Sequence, residues 1–496
     1  MKRGSITLGL CLAMSLLLSF AAAAIHSAAV SAGRVVLASA LEQSMFSLFG
    51  EYDTELFDRY GLLFLDAGRG KSALQLQKLT DQTEEYASYI LHPRKQSMIP
   101  ERELLNFQSQ KASLLAYTLA TDGGGAAFSE QACRAMKDAA PSIAAGMAKD
   151  AAAENLEKSS LQEHLMNDSD IGSAQAVYES ARNAEATEED SGRVKTDFTD
   201  AEIAAAKQIS LGSDYQDPIA AAASARNMGI LALAVPSGVQ VSAASVRVND
   251  LPSHRACQRG IGAAPDSAGM ADRVLLCEYA MNFFPYFTNC GGEEGLQYQV
   301  EYLIAGHSSD AENLKAVLNR LLVIREASNF SFLSTNSAKR AETLAAAEAV
   351  CSALLVPYLA PAVAVAVRAV WAYAEAIADL RVLLKGGKIP LVKTDASWQL
   401  SVEALPGFLA AGDAVGEDEP EGLDYSQYLR ILLAAKTTRK VTSGLMDMVE
   451  HTMRTAAGKP EFRMDCCVSA INMKLKANLD GRELSGTQYY RYGVNA

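Results

Sequence analysis

The sequence predicts an α+β protein that is predominantly helical. We expect a long N-terminal transmembrane and stalk helix, a helical body, and a small antiparallel sheet built from dispersed strands, including a C-terminal hairpin. Three observations lead to this class: an uncharged apolar run at the start, apolar side chains at spacings of three and four along much of the chain, and Asp480-Gly481 between two alternating segments near the end.

Composition excludes several classes of protein. The chain has 496 residues, of which 49% are hydrophobic, so it has enough apolar side chain to build a core and is not wholly disordered. It lacks the many long apolar runs of a polytopic transporter. The formal net charge of −13, with no concentrated basic patch, argues against nucleic acid as a partner.

The first element is an apolar helix that we expect to cross a lipid bilayer. Residues 6–32 carry no charge, and a helix of that length spans a hydrocarbon core of about 30 Å. Lys2 and Arg3 precede it, which predicts a cytoplasmic N-terminus and an extracytoplasmic remainder. Two alternatives stay open: a cleaved secretory peptide, given the small residues Ala21 to Ala24, and a lipoprotein attached at Cys11.

The helical pattern continues beyond the apolar run, which favours a retained anchor over a cleaved peptide. Apolar side chains recur at spacings of four and three on one helical face. These residues are Leu37, Leu41, Met45, Leu48, Tyr52 and Leu56. One helix is therefore predicted to leave the membrane and become a stalk or core helix of the exported part.

We divide the chain into four parts. Residues 1–33 form the cytoplasmic stub and signal anchor, and residues 34–184 form the stalk and a first helical region. Residues 185–216 are predicted to be an acidic linker, because acidic residues dominate from Glu185 to Glu202. Residues 217–496 form the α+β body with its C-terminal hairpin.

Local signals predict the elements of the body. Short alternating or apolar runs predict strands at 60–65, 239–248, 297–303, 398–402 and 468–475, the last returning through 489–492. Helices are predicted at 72–90, from Asp217-Pro218, from a capping box of Ser309 and Glu312, and over 425–455. A loop is predicted at the three glycines 123–125.

A second uncharged stretch permits two interpretations. Residues 349–367 lie between Glu348 and Arg368, but Pro357 and Pro361 interrupt the stretch and alanine dominates it. A buried hairpin of core helices is favoured over a second membrane span, which would return the C-terminal part to the cytoplasm.

Motifs for chemistry are missing. Gly70-Lys71-Ser72 follows a predicted strand, but a phosphate-binding loop needs a glycine where Leu65 stands. The six histidines lack the i, i+4 spacing of a helical zinc site, and no HExxH or GxSxG motif occurs. We therefore predict no catalytic, cofactor-binding or metal-binding residues and no small-molecule ligand.

The cysteines leave the disulfide state open. Cys257, Cys277 and Cys290 are plausible crosslinkers in an oxidising compartment. Buried reduced thiols are equally ordinary in a chain of this length. Connectivity is not predicted.

Several segments together resemble a bacterial family of unknown function whose members are membrane-anchored exported proteins. The similar segments are Lys2 to Thr7, Leu48 to Tyr52 with Tyr60 to Asp66, Glu312 to Val317 with Ile324 to Asn329, Gly386 to Asp395, and Leu423 to Arg430. The resemblance implies that the protein is encoded together with Tad/Flp-type pilus machinery and alongside TadE-like pseudopilins. Tad-type pilins are processed after a glycine that is followed, five residues later, by a glutamate. Here the glycine would be Gly4, and Gly9 stands where the glutamate is expected, so the sequence departs from the processing motif.

The combined expectation is a non-enzymatic, single-pass membrane protein with an extracytoplasmic domain. Its partners would be the lipid bilayer, through residues 6–32, and proteins of a Tad/Flp-like pilus or secretion assembly. Two alternatives from other classes are an extracytoplasmic envelope hydrolase and a secreted binding protein of unknown ligand.

Overall fold

The fold is α+β, as the sequence predicts. The computed structural model describes residues 3–92, 105–139, 198–212, 215–263, 270–292, 294–410 and 416–493. Helices dominate this part of the chain, and four antiparallel strands form one small sheet that includes the C-terminal hairpin.

Helices and strands are labelled in chain order. The first ten elements are α1 (Arg3–Phe49), α2 (Thr54–Tyr60), β1 (Leu65–Asp66), α3 (Leu76–Leu91), β2 (Phe107–Leu119), α4 (Asp122–Ala139), α5 (Asp200–Ala206), α6 (Pro218–Met228), α7 (Ile230–Ala234) and α8 (Met270–Phe283). The remaining elements are α9 (Gln299–Ala305), α10 (Asp310–Thr335), α11 (Ser337–Ala353), α12 (Ala360–Leu384), α13 (Leu405–Ala410), α14 (Tyr425–Ala434), α15 (Thr438–Thr455), β3 (Cys467–Leu479) and β4 (Arg482–Arg491).

The chain folds into two compact units that are discontinuous in sequence. The first comprises Met1–Ala139, Asn249–Asp272 and Leu445–Ala496, and the second comprises Ala140–Val248 and Arg273–Gly444. Residues 185–197 and 213–214 of the predicted linker lie outside the described residues, so the four-part division made from the sequence stays a prediction.

The first unit is built on strand β3. It pairs with β2 on one side and with β1 and then β4 on the other, always antiparallel. Asp480 and Gly481, both with positive φ, make the tight turn between β3 and β4. This confirms the predicted hairpin, because a two-residue loop of this kind needs φ above zero at both positions.

One face of the sheet is buried and the other is exposed. Inward side chains alternate along β3, with Met473 opposite Leu114 and Leu475 opposite Ala112. Helices α1 and α3 cover this face and contribute to one apolar core. The alternation is the period of two that a half-buried sheet requires.

The second unit is a helical body around α12. This helix is buried along almost its whole length, and α6, α10 and α11 pack against it. The stretch 349–367 therefore forms the end of α11, a 3-10 turn at Pro357–Leu359 and the start of α12. The buried hairpin favoured from the sequence is what the structure contains.

Three predicted strands are wrong. Residues 299–305 form a helix that is buried on almost every side, so the alternation of aromatic and polar residues there did not reflect two faces of a sheet. Residues 239–248 have only one isolated bridge, Ser245 to Ser309. Residues 398–402 are irregular because the carboxylate of Glu375 accepts hydrogen bonds from their backbone amides instead of a neighbouring strand.

Two boundaries also differ from the sequence prediction. Tyr60 ends helix α2, and of the predicted strand at 60–65 only Leu65 is extended, as the first residue of β1. Glu202, assigned to the acidic linker, lies in α5, where it completes a capping box with Thr199. Its carboxylate also pairs with Arg340 at 2.7 Å, so a partner distant in sequence stabilises this helix.

Other local signals are confirmed. Asp217 and Ser309 each cap the helix that follows by accepting a hydrogen bond from a backbone amide. The Glu312 carboxylate accepts from the Ser308 hydroxyl and does not complete the predicted capping box. The predicted helix at 72–90 is α3, and the region 425–455 is helical but divided into α14 and α15. Glycines 123–125 all have positive φ and interrupt the start of α4.

Candidate membrane-anchoring helix and buried ionic clusters

The first half of α1 is an exposed apolar helix. Every side chain from residue 8 to residue 28 is exposed, including Leu16 at 69% and Phe20 at 76%. At about 1.5 Å per residue these positions cover about 31 Å, close to the thickness of a bilayer hydrocarbon core. In the described part of the chain, α1 alone is long and apolar enough to cross a membrane.

The few hydroxyl groups in this half are compatible with an apolar surrounding. The Ser15 hydroxyl donates to the carbonyl of Leu12, and the Ser19 hydroxyl donates to the carbonyl of Ser15 at 2.8 Å. Because these hydroxyl groups donate to carbonyls of the same helix, neither needs a water molecule as a hydrogen-bond partner. The chemistry of the segment therefore suits lipid as well as its length does.

The environment of α1 changes sharply near residue 30. Val30 is only 6% exposed and belongs to the core of the first unit. At Gly33 an added Cβ would lie 2.6 Å from Leu479 Cδ2 and 3.1 Å from Leu484 Cδ1. A glycine at this position lets the two strands of the C-terminal hairpin approach the helix closely.

The second half of α1 packs on the sheet. Leu37, Leu41, Met45 and Leu48 are buried, which confirms this part of the predicted apolar face. The helix ends at Phe49, so Tyr52 lies beyond it and Leu56 belongs to α2, contrary to the prediction of one continuous face. At the end of the helix the Tyr492 hydroxyl donates to the carbonyl of Phe49 at 2.6 Å, and the two rings lie 4.7 Å apart. One continuous helix thus carries the exposed apolar segment into the core of the first unit.

A buried ionic cluster in the first unit, the Arg255 cluster, ties an irregular segment to α15 and to the turn before β3. The Arg255 guanidinium lies 2.6 Å from Glu450 Oε1 and also pairs with Asp465. Both carboxylates are completely buried. They accept further hydrogen bonds from the backbone amides of Met464 and Gln258. Each carboxylate therefore has several donors, as buried charge requires.

A second buried cluster, the Lys393 cluster, lies on α12 in the second unit. Lys393 Nζ is 2.8 Å from Glu375 Oε1, 2.9 Å from the carbonyl of Ser397 and 2.8 Å from Asp379 Oδ1. The last contact joins opposite charges but lacks hydrogen-bond geometry. Arg325 pairs with Asp379 at 2.9 Å, and all four charged side chains are inaccessible to solvent.

The Lys393 cluster is electrically balanced. Two cations face two carboxylates, and Arg325 also donates to the carbonyls of Pro390 and Leu391. Glu375 accepts from the backbone amides of Gln399 and Leu400. The cluster therefore holds the irregular segment 389–400 on α12.

Both tryptophans of the chain report on this segment. The indole nitrogens of Trp371 and Trp398 donate to the same carbonyl, that of Leu400, at 3.0 and 2.8 Å. Their rings lie 5.5 Å apart. In the sequence, the signal for buried charge was that Glu375 and Asp379 stand four residues apart in a largely apolar helix that also carries Arg368 and Arg381.

Glu301 is a buried carboxyl group with one unused oxygen. Its Oε1 accepts from the backbone amide of Phe287 and from the Tyr425 hydroxyl, each at 2.9 Å, while Oε2 has no hydrogen-bond partner. Burial, with a smaller contribution from the nearby Asp310 carboxylate, raises the pKa of Glu301 to about 7. The carboxyl is thus a titrating group within the second unit.

The turn at Gly70-Lys71-Ser72 has its amides occupied. The Asp66 carboxylate accepts from the backbone nitrogens of Gly68 and Gly70 at 2.8 and 3.0 Å. A carboxylate therefore stands where a phosphate-binding loop would hold its anion.

Within the described residues, histidines and cysteines do not converge. Among the described residues no group of three or more histidine, cysteine, aspartate or glutamate side chains is placed to hold a metal ion. All eight cysteines lie in the described part of the chain and are free thiols, including Cys257, Cys277 and Cys290. The three therefore form no crosslink in this structure.

Comparison with known proteins gives a family but no activity. No curated protein and no solved structure matches the chain. One family model matches residues 210–479, slightly more than half of the chain, and it describes a family of unknown function, DUF5702. The match includes α10, α12, the Lys393 cluster and strand β3. The chain therefore belongs to the DUF5702 family of unknown function.

Proposed function

We propose that this chain is a non-enzymatic, single-pass membrane protein whose extracytoplasmic part acts through protein contacts. Residues 6–32 cross the bilayer, with Lys2 and Arg3 on the cytoplasmic side. The observation that carries the proposal is the change along α1 from a fully exposed apolar segment to a packed one near Val30. An exposed apolar surface of this size has a large free energy of transfer from water.

A role in a Tad/Flp-like pilus or secretion assembly is the more specific part of the proposal. It is supported by the family resemblance of the segments described above and by a membrane helix that continues into a folded domain. These features suit a protein that presents surfaces to partners.

Membrane extraction tests the anchor. Arginine at the centre of a membrane helix costs about 2.5–3.5 kcal/mol, so replacing both Leu17 and Phe20 costs roughly twice that. We expect the full chain to resist alkaline extraction, and the Leu17→Arg/Phe20→Arg variant to be released. The matched control replaces Val35 and Phe46 by arginine, because both are exposed on α1 beyond the proposed span.

The mass of the mature protein separates an anchor from a secretory peptide. Retention of residues 1–33 in the membrane fraction supports the proposal, whereas a soluble product that lacks the first two dozen residues refutes it. Sidedness follows from a membrane-impermeant protease: intact cells stripped of their outer barriers should lose the C-terminal tail. Cleavage only after lysis would contradict the orientation.

Co-purification tests the assembly. The full chain, crosslinked in native membranes and purified under denaturing conditions, is expected to bring pilus-assembly proteins with it. The Leu17→Arg/Phe20→Arg variant is expected to lose them, because it no longer reaches the membrane. Recovery of the chain without any such protein would refute this part of the proposal and leave the anchor standing.

A further inference from the structure

An irregular segment, residues 284–292, follows α8 and is packed through its aromatic side chains. Phe284 and Phe287 are buried, with 3% and 8% of their surface exposed. The ring of Phe287 packs edge-on against Tyr298 and Tyr425, with ring centroids 5.3 and 6.5 Å apart. The segment therefore lies beside the start of α9 and the start of α14.

The backbone of this segment is joined to α9 at two points. The Pro285 carbonyl accepts from the amides of Gln299 and Val300 at 3.0 and 3.2 Å. The Phe287 amide donates to Glu301 Oε1 at 2.9 Å. The second point depends on a side chain that can gain or lose a proton, whereas the first does not. The attachment of Phe287 is therefore the one that pH can alter.

Glu301 is poorly placed to carry a negative charge. It is inaccessible to solvent, and its Oε2 has no hydrogen-bond partner. The titratable groups around it are Asp310 at the start of α10, Tyr425 on α14, and Cys290 and Tyr298 beside the segment. None of these is a cation, and in the described part of the chain Glu301 forms no ion pair. An ionised Glu301 thus keeps one oxygen without a donor and lies near the Asp310 carboxylate.

We infer that Glu301 is a pH-sensitive switch that controls a local opening of residues 284–292. While the carboxyl is protonated, it stays buried and holds the Phe287 amide. When it loses the proton to water, the resulting charge is better stabilised by water than by its buried site, so the segment opens and Phe287 leaves its place between Tyr298 and Tyr425. Aromatic surface that is covered below neutral pH is then exposed above it. This inference concerns the second unit alone and does not depend on the proposed anchor.

The size of the effect follows from the two environments of the carboxyl. Desolvation and the Asp310 carboxylate hold the pKa of buried Glu301 at about 7, against an ordinary value of 4.5. Opening hydrates the group, so the open state binds fewer protons than the closed state between these limits. The equilibrium constant for opening should therefore rise about tenfold from about pH 6 to about pH 8, and little more above that.

Hydrogen exchange of the full chain in detergent, followed by mass spectrometry, measures this opening. Peptides that cover 284–292 include the hydrogen-bonded amides of Tyr286, Phe287 and Asn289. Protection is taken as the intrinsic exchange rate at each pH divided by the observed rate, which removes the direct effect of pH on the exchange chemistry. We expect this protection to fall about tenfold from about pH 6 to about pH 8. Peptides from α12 should exchange more slowly at every pH, because that helix is buried along almost its whole length.

Two variants and a control test the assignment to Glu301. Glu301→Gln keeps the hydrogen-bond acceptor but cannot ionise, so its protection should be the same at both pH values. Tyr425→Phe removes a donor that favours the ionised form, so its fall in protection should move to higher pH. Glu403→Gln removes an exposed carboxylate of the second unit and should behave as the parent does.

Each outcome either supports the switch or overturns it. The same fall in protection in the parent and in Glu301→Gln would refute the role of Glu301. Equal exchange in 284–292 and in α12 would show that the second unit opens as a whole, and would refute a local switch. Should Glu301→Gln fail to fold, Tyr425→Phe decides, because a fall that moves to higher pH supports the switch and an unchanged one contradicts it. All of these results leave the membrane anchor untouched.

Discussion

Removal of the Lys393 ammonium is expected to destabilise the second unit strongly. The side chain is inaccessible to solvent, and its Nζ lies within 2.8–2.9 Å of Glu375, Asp379 and the carbonyl of Ser397. Lys393→Met leaves two buried carboxylates facing a single cation, Arg325. Loss of one partner of a buried pair costs about 3–5 kcal/mol, a large fraction of the stability of an ordinary domain.

Tryptophan fluorescence gives a direct assay. Trp371 and Trp398 are the two tryptophans of the chain, and both donate to the carbonyl of Leu400 in the segment that the Lys393 cluster holds. Urea unfolding of the full chain in detergent, followed by this emission, therefore reports the second unit. We expect a lower midpoint for Lys393→Met, with the slope unchanged because the surface exposed on unfolding is nearly the same.

A matched control and a rescue variant isolate the buried charge. Lys388→Met makes the same replacement five positions earlier, at an exposed lysine, and should change stability by less than about 0.5 kcal/mol. Adding Glu375→Gln to Lys393→Met restores the charge balance of the cluster and should recover part of the loss. Equal midpoints for Lys393→Met and Lys388→Met would refute the reasoning.

The loss should also depend on pH in a defined direction. Burial raises the pKa of Glu375 in the folded protein, and the Lys393 ammonium opposes that increase. Without Lys393 the carboxyl binds a proton in the folded state that it releases on unfolding, so stability of the variant falls as pH rises above about 4.5. The deficit of Lys393→Met is therefore expected to be smaller near pH 5 than near pH 8.

Three further outcomes are expected. The folded pKa of Glu301 is about 7 against an ordinary value of 4.5, so stability should fall between these pH values by about 3 kcal/mol and stay low above them. Urea unfolding of Glu301→Gln, followed by tryptophan emission, should lack this fall; an unchanged pH profile would contradict the assignment. Arg255→Met should cost about 3–5 kcal/mol and speed hydrogen exchange in β3, since two buried carboxylates lose their shared cation; unchanged exchange would show that the pair does not hold that region. Gly422→Ala should lower the thermal midpoint by several degrees, because the new Cβ would lie 2.5–2.8 Å from backbone atoms of Ile389, whereas Gly407→Ala, in open space, should not.

Elements marked by local chemistry could be predicted from the sequence. The capping roles of Asp217 and Ser309, and the turn at Asp480-Gly481, depend on residues within a few positions of one another. The apolar face of α1 follows in the same way from its spacing. These features need no information about distant segments.

Elements whose backbone is satisfied by distant side chains could not be predicted. The start of α9 is held by the Asp310 carboxylate, which accepts from the amides of Gln297 and Tyr298. The segment at 398–402 bonds to Glu375 and therefore does not need a strand partner. In both places apolar and polar residues alternate without forming a sheet, because burial there is set by packing on several sides.

The sequence by itself determined the α+β class, the apolar helix that opens the chain, the buried helical hairpin at 349–367 and the C-terminal β-hairpin. Each depends on hydrophobic periodicity or on turn residues, which act over one or two turns of chain. Only the tertiary structure decided that the residues 249–272 and 445–493 join the N-terminal segment in one unit, and that Lys393, Arg325 and Arg255 are buried. A charged side chain can be buried only when its partners surround it, and those partners are supplied by helices and loops far away in sequence.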